Sequence, residues 1–256
     1  MFYSCPFKSI CFKGLTSYIG SLSPGISRGK QMGSRQLKKI LLALLKDEAF
    51  EKSLEEICLI PARRVVNPLL SFFYNTDELI KWRAVTAMGV VVVRLAREDL
   101  ESARIVMRRL MWNLNDESGG IGWGSPEAMG EIMARHDRLA WEYACILVSY
   151  INEAGNFLEH EMLQRGVLWG LGRLAHKRPE LVQDAASYLP LFLRSKDADH
   201  RGLAAWVAGA IPSEMTKSLL EHLVADDARI NIFINMNLVE RTVGQLAVEA
   251  IFRTVS

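Results

Sequence analysis

Acidic residues are missing from the start of the chain: no Asp or Glu precedes Asp47. This leader is rich in Ser and Gly and carries Lys8, Lys13, Arg28 and Lys30, a composition shared with transit peptides. Pro6, Pro24 and several glycines leave little room for an amphipathic helix. The expectation for residues 1–31 is therefore a disordered leader, or a start placed too early with Met32 as the true beginning. Metal-ligating side chains are also scarce. The histidines are few and scattered, and Cys5, Cys11, Cys58 and Cys145 form no CxxC pair. Those spacings suit neither a disulfide framework nor a zinc site. Cys58 and Cys145 read as small apolar core residues in a reducing compartment, so the expected location is cytoplasmic. No metal and no cofactor are expected. Long apolar runs are absent as well. The longest, Ala84 to Val93, is too short to cross a bilayer and is closed by Arg94, so no membrane partner is expected. Charge of one sign is not in excess: the net charge is +2, too little to drive the whole chain onto nucleic acid.

A motif does recur. Trp82-Arg83-Ala84-Val85 is followed by Gln164-Arg165-Gly166-Val167, His200-Arg201-Gly202-Leu203 and Glu240-Arg241-Thr242-Val243. Pro126-Glu127-Ala128-Met129 falls in step, with an acid in place of the arginine. Helix-favouring copies about 40 residues apart are the mark of an α-solenoid. The expected fold is all-α: a right-handed α-solenoid of about five helical hairpins over residues 60–254, behind an N-terminal helical cap over residues 32–59.

Helical spacing of Leu37, Ile40, Leu41, Leu44 and Leu45 opens the cap after Ser34, a plausible N-cap, and Glu51 to Leu59 completes it. The first hairpin runs from Pro61 to Tyr74 and from Leu79 to Arg97. Val90 to Val93 could pass for a strand, but the repeat register assigns it to a buried helix. The second pair is Leu100 to Asn113, then a helix from Ser125-Pro126-Glu127 with a cap, a first-turn proline and an acid. The third is Leu139 to Asn152 and Glu159 to Ala175. The fourth is Pro179 to Leu193 and Asp199 to Ala210. In the fifth, Ser213 to Val224 precedes a last helix from Leu238 to Arg253, with Asp226 to Asn237 as a longer connection. Trp82, Trp169 and Trp206 recur near the starts or middles of the second helices, where they would fill gaps between repeats.

This pattern resembles the HEAT-like repeats. A first helix ends in an Asp- or Asn-bearing turn, and the second begins near an Arg: Asp77 before Arg83, Asp199 before Arg201, Asp226 and Asp227 before Arg241. The resemblance implies a stacked Asp–Arg ladder along the array and a role as a curved scaffold for proteins or nucleic acids. The segment Trp112 to Gly120 is similar to one found in an uncharacterised bacterial group of HEAT-repeat proteins, which implies no particular chemistry.

The segment from Trp112 to Glu127 breaks the repeat. An ordinary helix–helix turn needs only a few residues. This one carries four glycines and two tryptophans, with Asn113, Asp116, Glu117 and Ser118 among them. Glycines permit close backbone approach to a ligand, and N–H groups leading into a helix start can hold an anion. A phosphate loop of the Walker kind is not supported, because no Lys-Ser/Thr follows and no strand precedes. Two readings stay open: an elaborate turn in which Asp116 and Ser118 cap backbone groups, and a binding site on a rigid scaffold. The expected contact residues are Trp112, Asn113, Asp116, Glu117, Trp123, Glu127, Glu131 and Arg165. Glu127 and Glu131, one helical turn apart, could equally serve helix-dipole stabilisation.

The expected partner is a protein, with a small polar ligand as an alternative and nucleic acid less favoured. Arg165, Arg173, Lys177, Arg178, Arg194, Lys196 and Arg201 would serve a nucleic-acid groove only if they shared one face with aromatics between them. Some HEAT-like glycosylases for alkylated bases use tryptophans and an aspartate, a role that Trp112, Asp116, Arg165 and Trp206 could take. The resemblance thus allows a DNA-repair enzyme as the second expectation, against the modest charge of the chain. No catalytic triad can be assembled, and His136 reads as a helix-end residue.

Overall fold

The computed structural model describes residues 33–114 and 122–255. Within them the chain folds as helical hairpins stacked side by side. The helices are α1 (Ser34–Lys46), α2 (Phe50–Leu59), α3 (Ala62–Phe72), α4 (Glu78–Glu98), α5 (Leu100–Leu114), α6 (Ser125–Arg135), α7 (Asp137–Ser149), α8 (Glu161–Ala175), α9 (Leu189–Leu193), α10 (Ala198–Ala208), α11 (Glu214–Leu223) and α12 (Val243–Val255). Odd-numbered helices from α3 form one layer and even-numbered ones from α4 the other; α1 packs on α3, and α2 on α4. Val90 to Val93 lies inside α4. This is an all-α solenoid.

Local chemistry sets the helix starts. Asp77 caps α4 by accepting from the Leu79 and Ile80 amides, and Asp197 does the same for α10. His136 and His160 cap α7 and α8 through Nδ1. At α6 the expected serine cap is replaced: Gly124 holds the position with φ 76, and Ser125 is already helical. Only glycine adopts that left-handed turn readily.

Neighbouring even-numbered helices pack closely from α4 to α12, whereas α3, α5 and α7 touch one another little. The row therefore bends with the even layer inside. Its tightest approach is between α6 and α8, where a Cβ on Gly130 would stand 2.4 Å from the Gly170 Cα. Helix α6 is buried along nearly its whole length.

Two segments differ from the sequence expectation. Residues 179–193 form short 3-10 turns and the single-turn α9 rather than one helix. Pro190 lacks the N–H that would tie a continuous helix to its preceding turn. Residues expected as a connection and the start of the last helix instead form a hairpin of β1 (Arg229–Ile234) and β2 (Asn237–Thr242), paired antiparallel with Ile232 opposite Val239. β-branched Ile230, Ile232 and Val239 suit a pleated ribbon. Asn235 and Met236 turn it with φ of 51° and 62°, the geometry that matches hairpin twist. The fourth copy of the arginine motif consequently lies at the β2–α12 junction, not within a helix.

The expected ladder exists in altered form. Three of the four motif arginines reach to a neighbouring repeat or to the cap. Arg165 on α8 pairs with Asp197 and Asp199, and Arg201 on α10 binds Asp226 at 2.7 Å. Arg83 donates to the Leu45 and Asp47 carbonyls rather than to Asp77. Arg241 stands outside the ladder, on β2, 3.9 Å from Glu249.

Candidate functional site

The first turns of α4, α6, α8 and α10 come together along one edge of the inner layer. Between them lies a pocket of about 110 Å³. Glu78 and Lys81 of α4, Glu127 of α6, Met162 and Arg165 of α8 and Asp199 of α10 contribute its polar and flexible walls. Trp82 and Trp169 contribute the apolar ones, and Asn231 of β1 stands at the rim. Acids in the first turns oppose the positive helix ends, which explains in part why they collect here.

Glu127 is the most constrained of these residues, at 4% exposure. Lys81 Nζ lies 3.3 Å from its Oε1. Its Oε2 has no hydrogen-bond partner. Gly166 makes the room for it, since a Cβ there would come within 2.8 Å of Oε2. Across the pocket, the terminal nitrogens of Arg165 are held by Asp197 and Asp199, and its buried Nε is also without a partner. Burial works to raise the Asp197 carboxyl, but the hydrogen bond and charge of Arg165 outweigh it and hold the group below its ordinary range. Burial prevails at Asp199, whose carboxyl is pushed up.

An aromatic cluster forms the adjoining wall. Trp82 and Trp169 meet at 4.6 Å across the bend, and Trp206 follows at 6.3 Å. The tryptophans thus fill gaps between repeats as expected from their spacing. The β-hairpin folds over them. Phe233 stacks on Trp82, and its carbonyl accepts from Trp169 Nε1 at 2.9 Å. Nothing in the sequence pattern pointed to Phe233, Asn231 or Lys81, because their role depends on a hairpin read as a connection and on the sharpness of the bend.

The expected contact residues separate into groups. Glu127 and Arg165 meet in the pocket. Glu131, one turn further along α6 and 2% exposed, is bound by Arg135 and Arg173 and belongs to an internal ion network. Trp112 is 76% exposed on α5, in the other layer. Asn113 Nδ2 lies 3.5 Å from Ser125 Oγ, and Trp123 faces Tyr74 at 6.5 Å. Asp116 and Glu117 lie outside the described residues. Trp112 therefore does not share a face with Arg165 and Trp206, as the glycosylase arrangement needs. Several of the clustered bases are also engaged: Arg165 and Arg201 in the ladder, Arg173 with Glu131, Arg178 with Asp137. Among the described residues no group of His, Cys, Asp and Glu is arranged to hold a metal ion, and no helix is long and apolar enough to cross a membrane.

A protein of Archaeoglobus fulgidus, itself described as uncharacterised, is 31% identical to this chain over 143 residues, which are 56% of this chain and 69% of that one. The chain belongs to the family of that protein. This relative is archaeal, and the match does not show the bacterial group that the Trp112 to Gly120 segment suggested. No protein-family model matches the chain. Among solved structures, an engineered protein from the Northeast Structural Genomics Consortium aligns over 87% of this chain and 98% of its own, with a TM-score of 0.50 and 14% identity. At that identity the likeness is one of fold. Computationally designed armadillo repeat proteins for modular peptide recognition align with a TM-score of 0.46 and 16% identity over 85% of this chain and 99% of theirs. An archaeal HEAT-like repeats protein from Thermococcus onnurineus aligns at 0.39 and 15% identity over 88% and 81%. The described residues thus form an all-α solenoid.

Proposed function

We propose that the chain is a binding scaffold and that the pocket around Glu127 and Arg165 is its recognition point. The partner is a protein or a small polar ligand that sets a polar group into this pocket, and the corner from Asn113 to Ser125 supplies further contacts beside it. One observation carries this reading: a carboxylate is held almost fully buried at the inner edge of a solenoid, against two tryptophans, with one oxygen left without a partner. A purely structural acid would have both oxygens satisfied, as Glu131 has on the same helix. Ser125, the last residue of that corner, opens α6 two positions before Glu127.

The test is recovery of the tagged protein from its native cells with whatever accompanies it. The wild type, Glu127→Gln and a variant on the opposite layer, Trp141→Ala, are compared. The scaffold reading expects one companion molecule that is lost with Glu127→Gln and kept with Trp141→Ala, at unchanged helicity. A companion retained equally by both variants removes the pocket from the recognition surface.

A further inference from the structure

Two residues that line the pocket, Glu127 and Arg165, each carry a buried polar atom without a partner, and the two atoms are of opposite sense. Glu127 Oε2 can only accept a hydrogen bond, and Arg165 Nε can only donate one. Each belongs to a group whose other atoms are engaged: Glu127 Oε1 by Lys81, and the Arg165 terminal nitrogens by Asp197 and Asp199. Buried polar atoms are nearly always satisfied; of the five exceptions among the described residues, two belong to residues that line this one cavity, which points to a missing occupant.

The charges around the pocket limit what that occupant can be. A simple cation answers Glu127 but lies beside Lys81 and Arg165. A simple anion answers Arg165 but lies beside Glu127, Glu78 and Asp199. Either repulsion acts at short range in a partly enclosed site. A neutral molecule leaves two charged groups with weaker partners than they can form. A molecule that carries both signs on adjacent atoms meets none of these objections and adds no net charge.

We propose that the pocket binds a small zwitterion of the α-amino acid kind, with its ammonium on Glu127 and its carboxylate on Arg165 Nε and Lys81. Lys81 is the moving part. Its side chain is 20% exposed and is the partner that Glu127 can exchange. On entry of the ligand, Lys81 turns from the Glu127 carboxylate to that of the ligand, and the ligand ammonium takes its place. Every charge is then paired before and after. About 110 Å³ accommodates the head group and a short apolar stem. The indoles of Trp82 and Trp169 receive that stem, which selects small aliphatic amino acids over long or charged ones. The inference rests on the pocket being the recognition point, and it specifies the chemistry received there.

The experiment is titration of the full chain with L-alanine, read by calorimetry and by the fluorescence of the tryptophans. Propylammonium and propionate, each carrying half of the head group, are titrated in parallel. The expected result is saturable one-to-one binding of alanine, with each half-molecule roughly tenfold weaker or more. Glu127→Gln should weaken alanine binding by roughly the same factor, and so should Lys81→Met, whose partly exposed site tolerates the change. If Glu127→Gln fails to fold, the comparison of alanine with its halves on the wild type still decides the matter. Absence of saturable alanine binding, or a half-molecule that binds as tightly as alanine, overturns the proposal. A native companion that still depends on Glu127 would then leave the scaffold reading intact.

Discussion

Phe233 lies flat on Trp82, with ring planes 6° apart and centroids at 5.2 Å, although one residue belongs to the strand after α11 and the other to α4. Both are more than nine-tenths buried. Phe233→Ala should therefore destabilise the protein by about 3 kcal/mol, as expected for removal of a buried aromatic ring. Equilibrium urea unfolding measures the loss. The emission of Trp82 and Trp169 should shift to the red even before unfolding, because the ring that covers them is gone.

The contact of α6 with α8 depends on two glycines. Gly130→Ala places a methyl 2.4 Å from the Gly170 Cα and oxygen, which are backbone atoms that no side-chain rotation can move aside. The helices must separate, and the expected cost is about 2 kcal/mol or more. A fall in thermal midpoint together with unchanged helical circular dichroism would check this.

Glu131 joins Arg135 and Arg173 across the same two helices. Glu131→Gln leaves both arginines without their counter-charge. Each is about a quarter exposed, 23% and 24%, so water reaches them in part. The expected loss is about 1–3 kcal/mol, below the value for a fully enclosed pair. High salt should narrow the gap between variant and wild type, which chemical unfolding at two ionic strengths would show.

His176 makes stability depend on pH. Burial, with Arg253 and Arg173 nearby, lowers its pKa from 6.5 to about 4 in the folded chain. Arg253 donates to its Nδ1 at 2.7 Å, which holds the ring neutral. The unfolded chain takes up this proton near pH 6.5 and the folded chain only near pH 4, so stability is full above that window and falls as pH drops through it. The loss should approach 2–3 kcal/mol or so by pH 4. His176→Gln should flatten this part of the profile, and melting curves between pH 7 and pH 4 measure it.

The helical pairs were legible because their apolar spacing and caps act over a few residues. Asp77 and Ser213 sit where a helix begins, and the leucines of α1 fall on one face. The hairpin was not legible. Its strands are short, and Asn235-Met236 lacks the glycine that commonly announces such a turn. Its position is fixed by Phe233 docking on distant tryptophans, which no local pattern encodes. Likewise, Glu127 and Arg165 stood out as members of the repeat, but that they face one another depends on the bend at Gly130 and Gly170. Lys81 belongs to no sequence motif, and its place beside Glu127 follows from that bend.

A chain of repeats that touch only their neighbours can fray from either end. Here the ribbon between α11 and α12 is fastened back onto α4, which ties a late part of the sequence to an early one. Loosening one end must release the other, so the array should melt as a single cooperative unit. That unit can form only after a wide loop has closed, so slow assembly accompanies the cooperativity.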